Sequence, residues 1–339
     1  MQKKRWMAAA LAGAMALTLT ACGGTDDTAT STDDSTSTAE SSGDVKKISV
    51  IMKTSSAEYW QYIKAGAEAY DAEHDDVEVS IKGPTSETAF EEQMSMIETD
   101  INTADFDAYV IAPLQPDTVK TLIAGETRPV VALDSNIEGA PEVKTFVGTG
   151  NEAAAKQGME AAVEAAKAAG WTEIKAIEIC GVQGEPTNEA RKAGYIAGIE
   201  ENGGDFLEEE TQYADATADR AVNCMEAIIQ THPEGVAIIC ANNDDMAIAA
   251  ARTAAGNPAY ENTIFLGFDG VKSACESILN GELTMAAAQD PYNMAYQAVD
   301  AAVQLINGEE LPEFIDSGSS VVTVDNAQER LDTLNSYLA

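Results

Sequence analysis

The chain has 339 residues, 45% of them hydrophobic, and its 57 acidic and 20 basic side chains give a formal net charge of −37 at pH 7. Phosphate backbones repel a protein this acidic, because their binding depends on Lys and Arg, so nucleic acid is not expected as a partner. The charge is typical of a solvated surface that keeps a secreted protein soluble.

Residues 1–21 have the layout of a secretory signal peptide. Basic residues at positions 3 to 5 precede an apolar run that is shorter than the ~20 residues a membrane-spanning helix needs. Leu19-Thr20-Ala21-Cys22 resembles the lipobox of bacterial lipoproteins. The resemblance implies that Cys22 is lipidated and anchors the mature protein to the outer face of the cell membrane.

Residues 22–45 follow as a tether. Positions 23 to 45 contain 5 Ser, 6 Thr, 5 Asp and 3 Gly with no Lys or Arg, so this segment cannot bury enough apolar surface to offset its ordering entropy. Residues 46–339 are predicted to form the globular body.

Short apolar runs alternate with helical patterns along the body, which predicts parallel sheets covered by helices. The first series has predicted strands at 47–53, 77–83, 107–113, 128–134 and 144–150, with helices at 57–74 and 88–101. The second has strands at 173–180, 206–213, 235–241 and 263–270, with helices at 151–169, 188–201, 218–231 and 244–255. The pattern indicates two doubly wound α/β lobes. Periodicity leaves open which lobe takes the strand 283–289, the helix 291–307, the strand near 320–324 and the helix 326–338.

Four cysteines follow Cys22, at positions 180, 224, 240 and 275, and three pairings are compatible with the sequence. A body of this size buries a core without disulfides, so we favour free, buried thiols. Neither of the two His residues lies near a cysteine at the spacing typical of metal ligands. Neither a metal nor another cofactor is therefore expected.

Polar residues follow several of the predicted strands, where open parallel sheets bind ligands. Carboxylates and amides at such ends suit the hydroxyls of a neutral polyhydroxylated molecule, and Tyr59 and Trp60 offer rings for its apolar faces. Spacing alone leaves open whether the two aromatic side chains only pack a helix and whether Asp134 and Asp269 only cap the helices that follow them.

Three motifs narrow this choice: Asn243-Asp244-Asp245-Met246-Ala247, Gly267-Phe268-Asp269-Gly270 and the run from Asn188 to Tyr195. Together with Gln289 they resemble periplasmic sugar-binding proteins of the ribose-binding type, over about residues 46 to 325. The resemblance implies a type I solute-binding protein whose two lobes are joined by three crossings, near 148–150, 288–290 and 315–319. The lobes would comprise residues 46–148 with 290–316 and residues 149–289 with 317–339.

The resemblance also implies a set of ligand-binding side chains. Tyr59 and Trp60 would stack on the sugar, with Phe268 as a second apolar face. The alternative for Arg191 is a surface ion pair with Glu185 or Glu189. Hydrogen bonds to hydroxyls would come from Asp134, Arg191, Asn243, Asp269 and Gln289.

Four positions depart from the ribose binders and argue against ribose itself. Lys53 replaces a small hydroxyl residue, and together with residues 83–85 it resembles the binding proteins for autoinducer-2, in which a Lys contacts the ligand. The alternative for Lys53 is a solvated charge paired with an acid. The other departures are Ala112, Ser135 and Ala216.

The leading prediction is therefore a monomeric, extracytoplasmic binding lipoprotein that closes on a sugar or polyol and delivers it to the permease of an ABC importer. A sensor that presents its closed form to a chemoreceptor or kinase needs the same cleft and stays open as an alternative. A DNA-binding regulator of this fold would need a basic helix-turn-helix at its N-terminus, where this chain has a signal peptide and an acidic tether. An enzyme is not expected, because Asp134 and Asp269 have no accompanying nucleophile motif.

Overall fold

Strands and helices alternate along residues 45–339, the part of the chain that the computed structural model describes. The strands are β1 (Lys46–Ile51), β2 (Val77–Lys82), β3 (Ala108–Ile111), β4 (Val130–Leu133), β5 (Val143–Gly148), β6 (Lys175–Cys180), β7 (Asp205–Phe206), β8 (Gln212–Tyr213), β9 (Ile238–Ala241), β10 (Ile264–Asp269), β11 (Met285–Gln289), β12 (Phe314–Asp316) and β13 (Ser319–Val322). The helices are α1 (Glu58–Glu73), α2 (Phe90–Thr103), α3 (Pro116–Leu122), α4 (Asn151–Ala168), α5 (Pro186–Glu201), α6 (Ala218–Thr231), α7 (Asp244–Ala254), α8 (Lys272–Leu279), α9 (Pro291–Ile306) and α10 (Ala327–Tyr337).

The strands form two separate sheets. The first has the order β12-β5-β4-β3-β1-β2 and is parallel throughout. The second has the order β13-β11-β10-β9-β6-β7, with β8 also paired to β6, and only β13 runs antiparallel to its neighbour. β3, β4, β9 and β10 are buried at every residue, as expected of strands covered by helices on both faces.

The chain passes from one sheet to the other three times: after β5, after β11, and between β12 and β13. α9 packs on α1 and on the first sheet, whereas α4 packs on α5 and on the second. The last helix, α10, packs mainly against α8. The predicted fold class of two doubly wound lobes with a three-segment hinge is confirmed, whereas the limits of each lobe along the chain stay a prediction.

Several elements differ from the predictions. The predicted strand 206–213 is wrong: two short strands flank a 3₁₀ turn at Glu208–Glu210. Three consecutive glutamates disfavour a strand, since acidic residues are depleted from sheets. α3, α8 and β12 were not predicted. Among the described residues no helix has the length and apolarity that crossing a membrane requires.

The four cysteines in the described part of the chain are free. Cys180, Cys240 and Cys275 are buried, and burial raises the pKa of each thiol. Cys224 is only partly buried, on α6. The preference for free thiols is borne out, with Cys224 less buried than expected.

Candidate functional site

A cavity lies between the two lobes, at the carboxyl ends of the parallel strands. The centre of a water molecule can occupy a volume of about 50 Å³ inside it. Adding one water radius all round gives a space on the order of 200 Å³, enough for one small ring molecule. Its wall consists of Lys53, Ala57, Glu58, Tyr59, Trp60, Glu87, Asp134, Glu185, Thr187, Asn188, Arg191, Ala216, Asn242, Asn243, Asp244, Asp245, Met246, Asp269, Val271 and Gln289.

Asp134 contacts two other polar side chains of the first lobe. It directly follows β4 and has a positive φ of 63°. This conformation is strained for any residue other than glycine, and such residues are common at functional sites. The Tyr59 hydroxyl donates to its Oδ1 at 2.9 Å, and Lys53 Nζ lies 3.2 Å from its Oδ2. No helix lies between β4 and β5, so Asp134 caps none.

Lys53 bridges the two lobes. Its Nζ donates to Glu185 Oε1 of the second lobe at 2.9 Å, and both side chains are buried. Burial alone would lower the pKa of Lys53, but the charges of Glu185 and Asp134 outweigh burial and raise that pKa. Burial alone would raise the pKa of Glu185, but the charge of Lys53 outweighs burial and lowers that pKa. The Ser135 hydroxyl donates to the same Glu185 oxygen at 3.1 Å. The alternative to ligand binding was that Lys53 is a solvated charge paired with an acid. Lys53 is paired with acids, but its side chain is buried and not solvated.

Arg191 projects from α5 and is 6% exposed. Its Nε donates to Asn151 Oδ1 at 2.8 Å, and its Nη1 donates to the carbonyl oxygen of Asn242. Nη1 also lies 3.8 Å from Asp269 Oδ1. The alternative of a surface ion pair with Glu185 or Glu189 is therefore wrong.

Asp269 and Gln289 form the wall on the hinge side. Asp269 ends β10 with a φ of 112°, and Gln289 Nε2 donates to its Oδ1 at 2.7 Å. Burial raises the pKa of Asp269 to about 7, against the opposing effect of Arg191. Gln289 is 2% exposed, and its Oε1 accepts no hydrogen bond from the described residues.

Asn243 and Phe268 differ from the rest of the predicted set. Asn243 lines the cavity, but it is the N-cap of α7: its Oδ1 accepts from Met246 N, and its Nδ2 donates to Ala216 O. Phe268 does not line the cavity. It is fully buried beneath Arg191, whose guanidinium carbon lies 3.8 Å from the ring centroid. The expectation that Phe268 offers a second apolar face is thus corrected, because it faces Arg191.

The rings of Tyr59 and Trp60 lie edge to face, with centroids 5.3 Å apart and planes at 82°. Trp60 Nε1 donates to Glu87 Oε1 at 3.3 Å. Both rings occupy the start of α1, which follows β1 after the loop 52–57. They supply the aromatic part of the cavity wall, and their stacking on a ligand stays a prediction.

Sequence reasoning missed several wall residues, among them Glu87, Glu185 and Asn242. Glu87 and Glu185 lie in loops after β2 and β6, on the same edge of the sheets as the predicted residues. Position at that edge was the signal available for them. Residues 83–85, which motivated the autoinducer-2 comparison, are not part of the wall.

Comparison with known proteins gives concordant results. Residues 48–310 match the periplasmic binding protein domain family. The D-allose-binding periplasmic protein of Escherichia coli (strain K12) is 27% identical over 289 residues, which cover 81% of this chain and 91% of that protein. The D-ribose/D-allose-binding protein of Pseudomonas aeruginosa is 27% identical over 78% of this chain and 83% of its own length. An ABC transporter solute binding protein of Agrobacterium vitis, solved with bound D-fucose, superposes with a TM-score of 0.76 at 26% identity and covers 85% of this chain and 99% of its own.

Proposed function

The chain belongs to the periplasmic binding protein domain family, and from that premise we propose that it captures one monosaccharide or similar cyclic polyol between its lobes for an ABC importer. The family match bears out the resemblance inferred from the motifs. The relatives named above are described as binding D-allose, D-ribose or D-fucose. A solute-binding role follows for this chain, and an enzymatic role does not.

The observation that carries the proposal is the composition of the cavity wall. The first lobe contributes Lys53 and Asp134, the second contributes Arg191 and Asp269, and Gln289 belongs to the hinge. Guanidinium and carboxyl groups form directional bonds to hydroxyls, and the two rings at the start of α1 can cover C–H faces. A cavity for one small ring favours a monosaccharide over a longer saccharide.

Closure of the lobes would couple capture to delivery. Lys53 and Ser135 already reach Glu185 across the cleft, so the lobes are in direct contact. A ligand that bonds to both lobes favours the closed form only by its differential affinity for that form. We infer that the permease recognises this closed form.

The test is a thermal-shift screen of the full-length protein against pentoses, hexoses, 6-deoxyhexoses, inositols, nucleosides and autoinducer-2, followed by titration calorimetry. A ligand at 100 times its Kd adds about 2.7 kcal/mol to the free energy of unfolding. Binding of one sugar class with 1:1 stoichiometry is the expected result. Binding of a nucleoside, or of no sugar or polyol with or without an amino group, would contradict the proposal.

Delivery to an importer needs a separate experiment. We expect that deletion of the gene abolishes uptake of the radiolabelled sugar and that the wild-type gene restores it. Normal uptake combined with loss of chemotaxis toward the same sugar would instead favour the sensor alternative.

The lipid anchor also belongs to the proposal. The signal peptide, Cys22 and nearly all of the tether lie outside the described residues. We expect Cys22→Ser to release the protein from the membrane fraction and to abolish incorporation of labelled fatty acid. Cys224→Ser is the matched control and is expected to leave both unchanged.

A further inference from the structure

The wall of the interlobe cavity is strongly acidic. It holds two basic side chains, Lys53 and Arg191, and seven carboxyl groups. Lys53 pairs with two of these acids, Asp134 and Glu185, and Arg191 is close to a third, Asp269. The two bases are thereby committed to three acids.

Four carboxyl groups of the wall form no ion pair with a basic side chain of the described residues, although the charge of Lys53 opposes the effect of burial on the pKa of one of them, Glu87. Each has only hydrogen bonds from neutral donors or none: Glu87 accepts from the Trp60 indole, Glu58 from Ser273 N and from the Tyr62 hydroxyl, and Asp244 from Val271 N. Asp245 accepts no hydrogen bond from the rest of the described chain. Burial raises the pKa of Glu87, Asp244 and Asp245.

These acids lie on both lobes and face each other across the cleft. Glu58 starts α1 of the first lobe, and Asp244 and Asp245 start α7 of the second. After burial, the charge of Glu58 is the cause that raises the pKa of Asp245. Closing the lobes therefore brings like charges together, which costs free energy unless a positive charge enters between them.

The same wall has acceptors that lack donors. Gln289 Oε1, at 2% exposure, and Asp244 Oδ1, at 1% exposure, accept no hydrogen bond from the described residues. Gln289 lines the cavity, and its Nε2 is committed to Asp269. An ammonium group offers three donors and no acceptor, which complements such a surface.

A bare metal ion fits the wall less well than an organic cation. Within residues 45–339 no three His, Cys, Asp or Glu side chains are grouped closely enough to hold a metal. Tyr59 and Trp60 line the same cavity and can pack against an alkylammonium group. The positive charge is thus best supplied by the captured molecule itself.

We propose that the ligand is a monosaccharide or cyclic polyol that carries a protonated amine, which Glu58 of the first lobe and Asp245 of the second bind between them. This inference rests on the proposed function. In the closed form the amine would offset the repulsion between the two lobes, so an aminated ligand would favour closure more strongly than its neutral analogue.

The test compares matched pairs on the full-length protein by titration calorimetry: D-glucosamine with D-glucose, D-galactosamine with D-galactose, and 1-deoxynojirimycin with 1,5-anhydro-D-glucitol. We expect the aminated member of at least one pair to bind at least tenfold more tightly at pH 6.5, with an advantage that shrinks as NaCl is added. Equal or tighter binding of the neutral members would overturn the inference and leave the proposed function standing. Binding of neither series would overturn the proposed function. Equally tight binding of putrescine, or a thermal shift with CaCl₂ alone, would overturn the inference as well.

Substitutions then locate the amine. Glu58→Gln and Asp245→Asn each remove one charge and keep the size of the side chain. Each is expected to reduce the ratio of affinities for the aminated and neutral members at least threefold, a readout that general damage to the cavity would not move. Glu226→Gln, at an exposed position of α6, is the matched control. An unchanged ratio in both variants would overturn the placement.

Discussion

The guanidinium of Arg191 lies over the ring of Phe268, 3.8 Å from its centroid. An apolar surface thus supports the cation from behind, and two of its five donors are committed to Asn151 and to the Asn242 carbonyl. The remaining donors are available to the cavity in a fixed orientation. Phe268 therefore acts by positioning Arg191.

Arg191→Lys tests this arrangement. An ammonium cannot make both fixed bonds and lie flat on the ring, so we expect the affinity for the identified sugar to fall at least tenfold, about 1.4 kcal/mol. Titration calorimetry measures the affinity, and circular dichroism verifies the fold. Arg220→Lys, at an exposed ion pair with Asp215, is the control. An unchanged affinity would show that Arg191 has no part in binding.

Glu185→Gln tests the contact across the cleft. The substitution leaves Lys53 with one acidic partner instead of two, and breaking a buried pair costs about 3–5 kcal/mol where the charge stays unpaired. We expect the ligand-free variant to be more open, with a larger radius of gyration by small-angle X-ray scattering. Glu201→Gln breaks a surface pair with Lys156 and is expected to change nothing. Identical scattering of Glu185→Gln and wild type would show that the pair of Lys53 and Glu185 does not hold the lobes together.

Glu178 predicts a dependence of stability on pH. This carboxyl on β6 is fully buried, and burial raises its pKa to about 8 from an ordinary 4.5. Between these values the folded protein retains a proton that the unfolded chain has released, so the free energy of unfolding falls as pH rises through this window, by at most about 1.4 kcal/mol per pH unit.

Glu178→Gln removes this titration and keeps an oxygen that can accept from Asn242 Nδ2. The difference in melting temperature between variant and wild type should be small at pH 5 and should increasingly favour the variant toward pH 8. For the exposed control Glu226→Gln the difference should stay flat. A flat difference for Glu178→Gln as well would disprove the shifted pKa.

Gly194→Ala tests the close approach of α5 to α4. A Cβ at this position would lie 2.2 Å from the carbonyl oxygen of Glu152, so the two helices would have to separate. In an exposed helix the same substitution stabilises by roughly 0.5–1 kcal/mol. Here we expect a loss of about 1–3 kcal/mol in urea unfolding. A gain in stability would show that the helices yield without cost.

Much of the fold could be predicted because buried parallel strands are continuous apolar runs. The elements that were missed lack that signal. α3 has only seven residues and begins at Pro116, and β12 is a three-residue edge strand with the exposed side chain of Phe314. Such elements form because a neighbouring strand or helix is already in place, and a local pattern does not record the neighbour.

The candidate site was predictable where residues directly follow strands, as Asp134 and Asp269 do. Which side chains of the site contact one another could not be predicted. Glu185 pairs with Lys53 although 132 positions separate them. Asn243, which was predicted to bind a hydroxyl of the ligand, caps α7. Such assignments depend on which loops of the two lobes meet, and the chain specifies this only through the packing of both sheets.

Each sheet acquires an edge strand from the final part of the chain, since β12 joins the first sheet and β13 the second. For a chain made from its N-terminus, neither lobe can therefore reach its final form until residues beyond 313 have emerged.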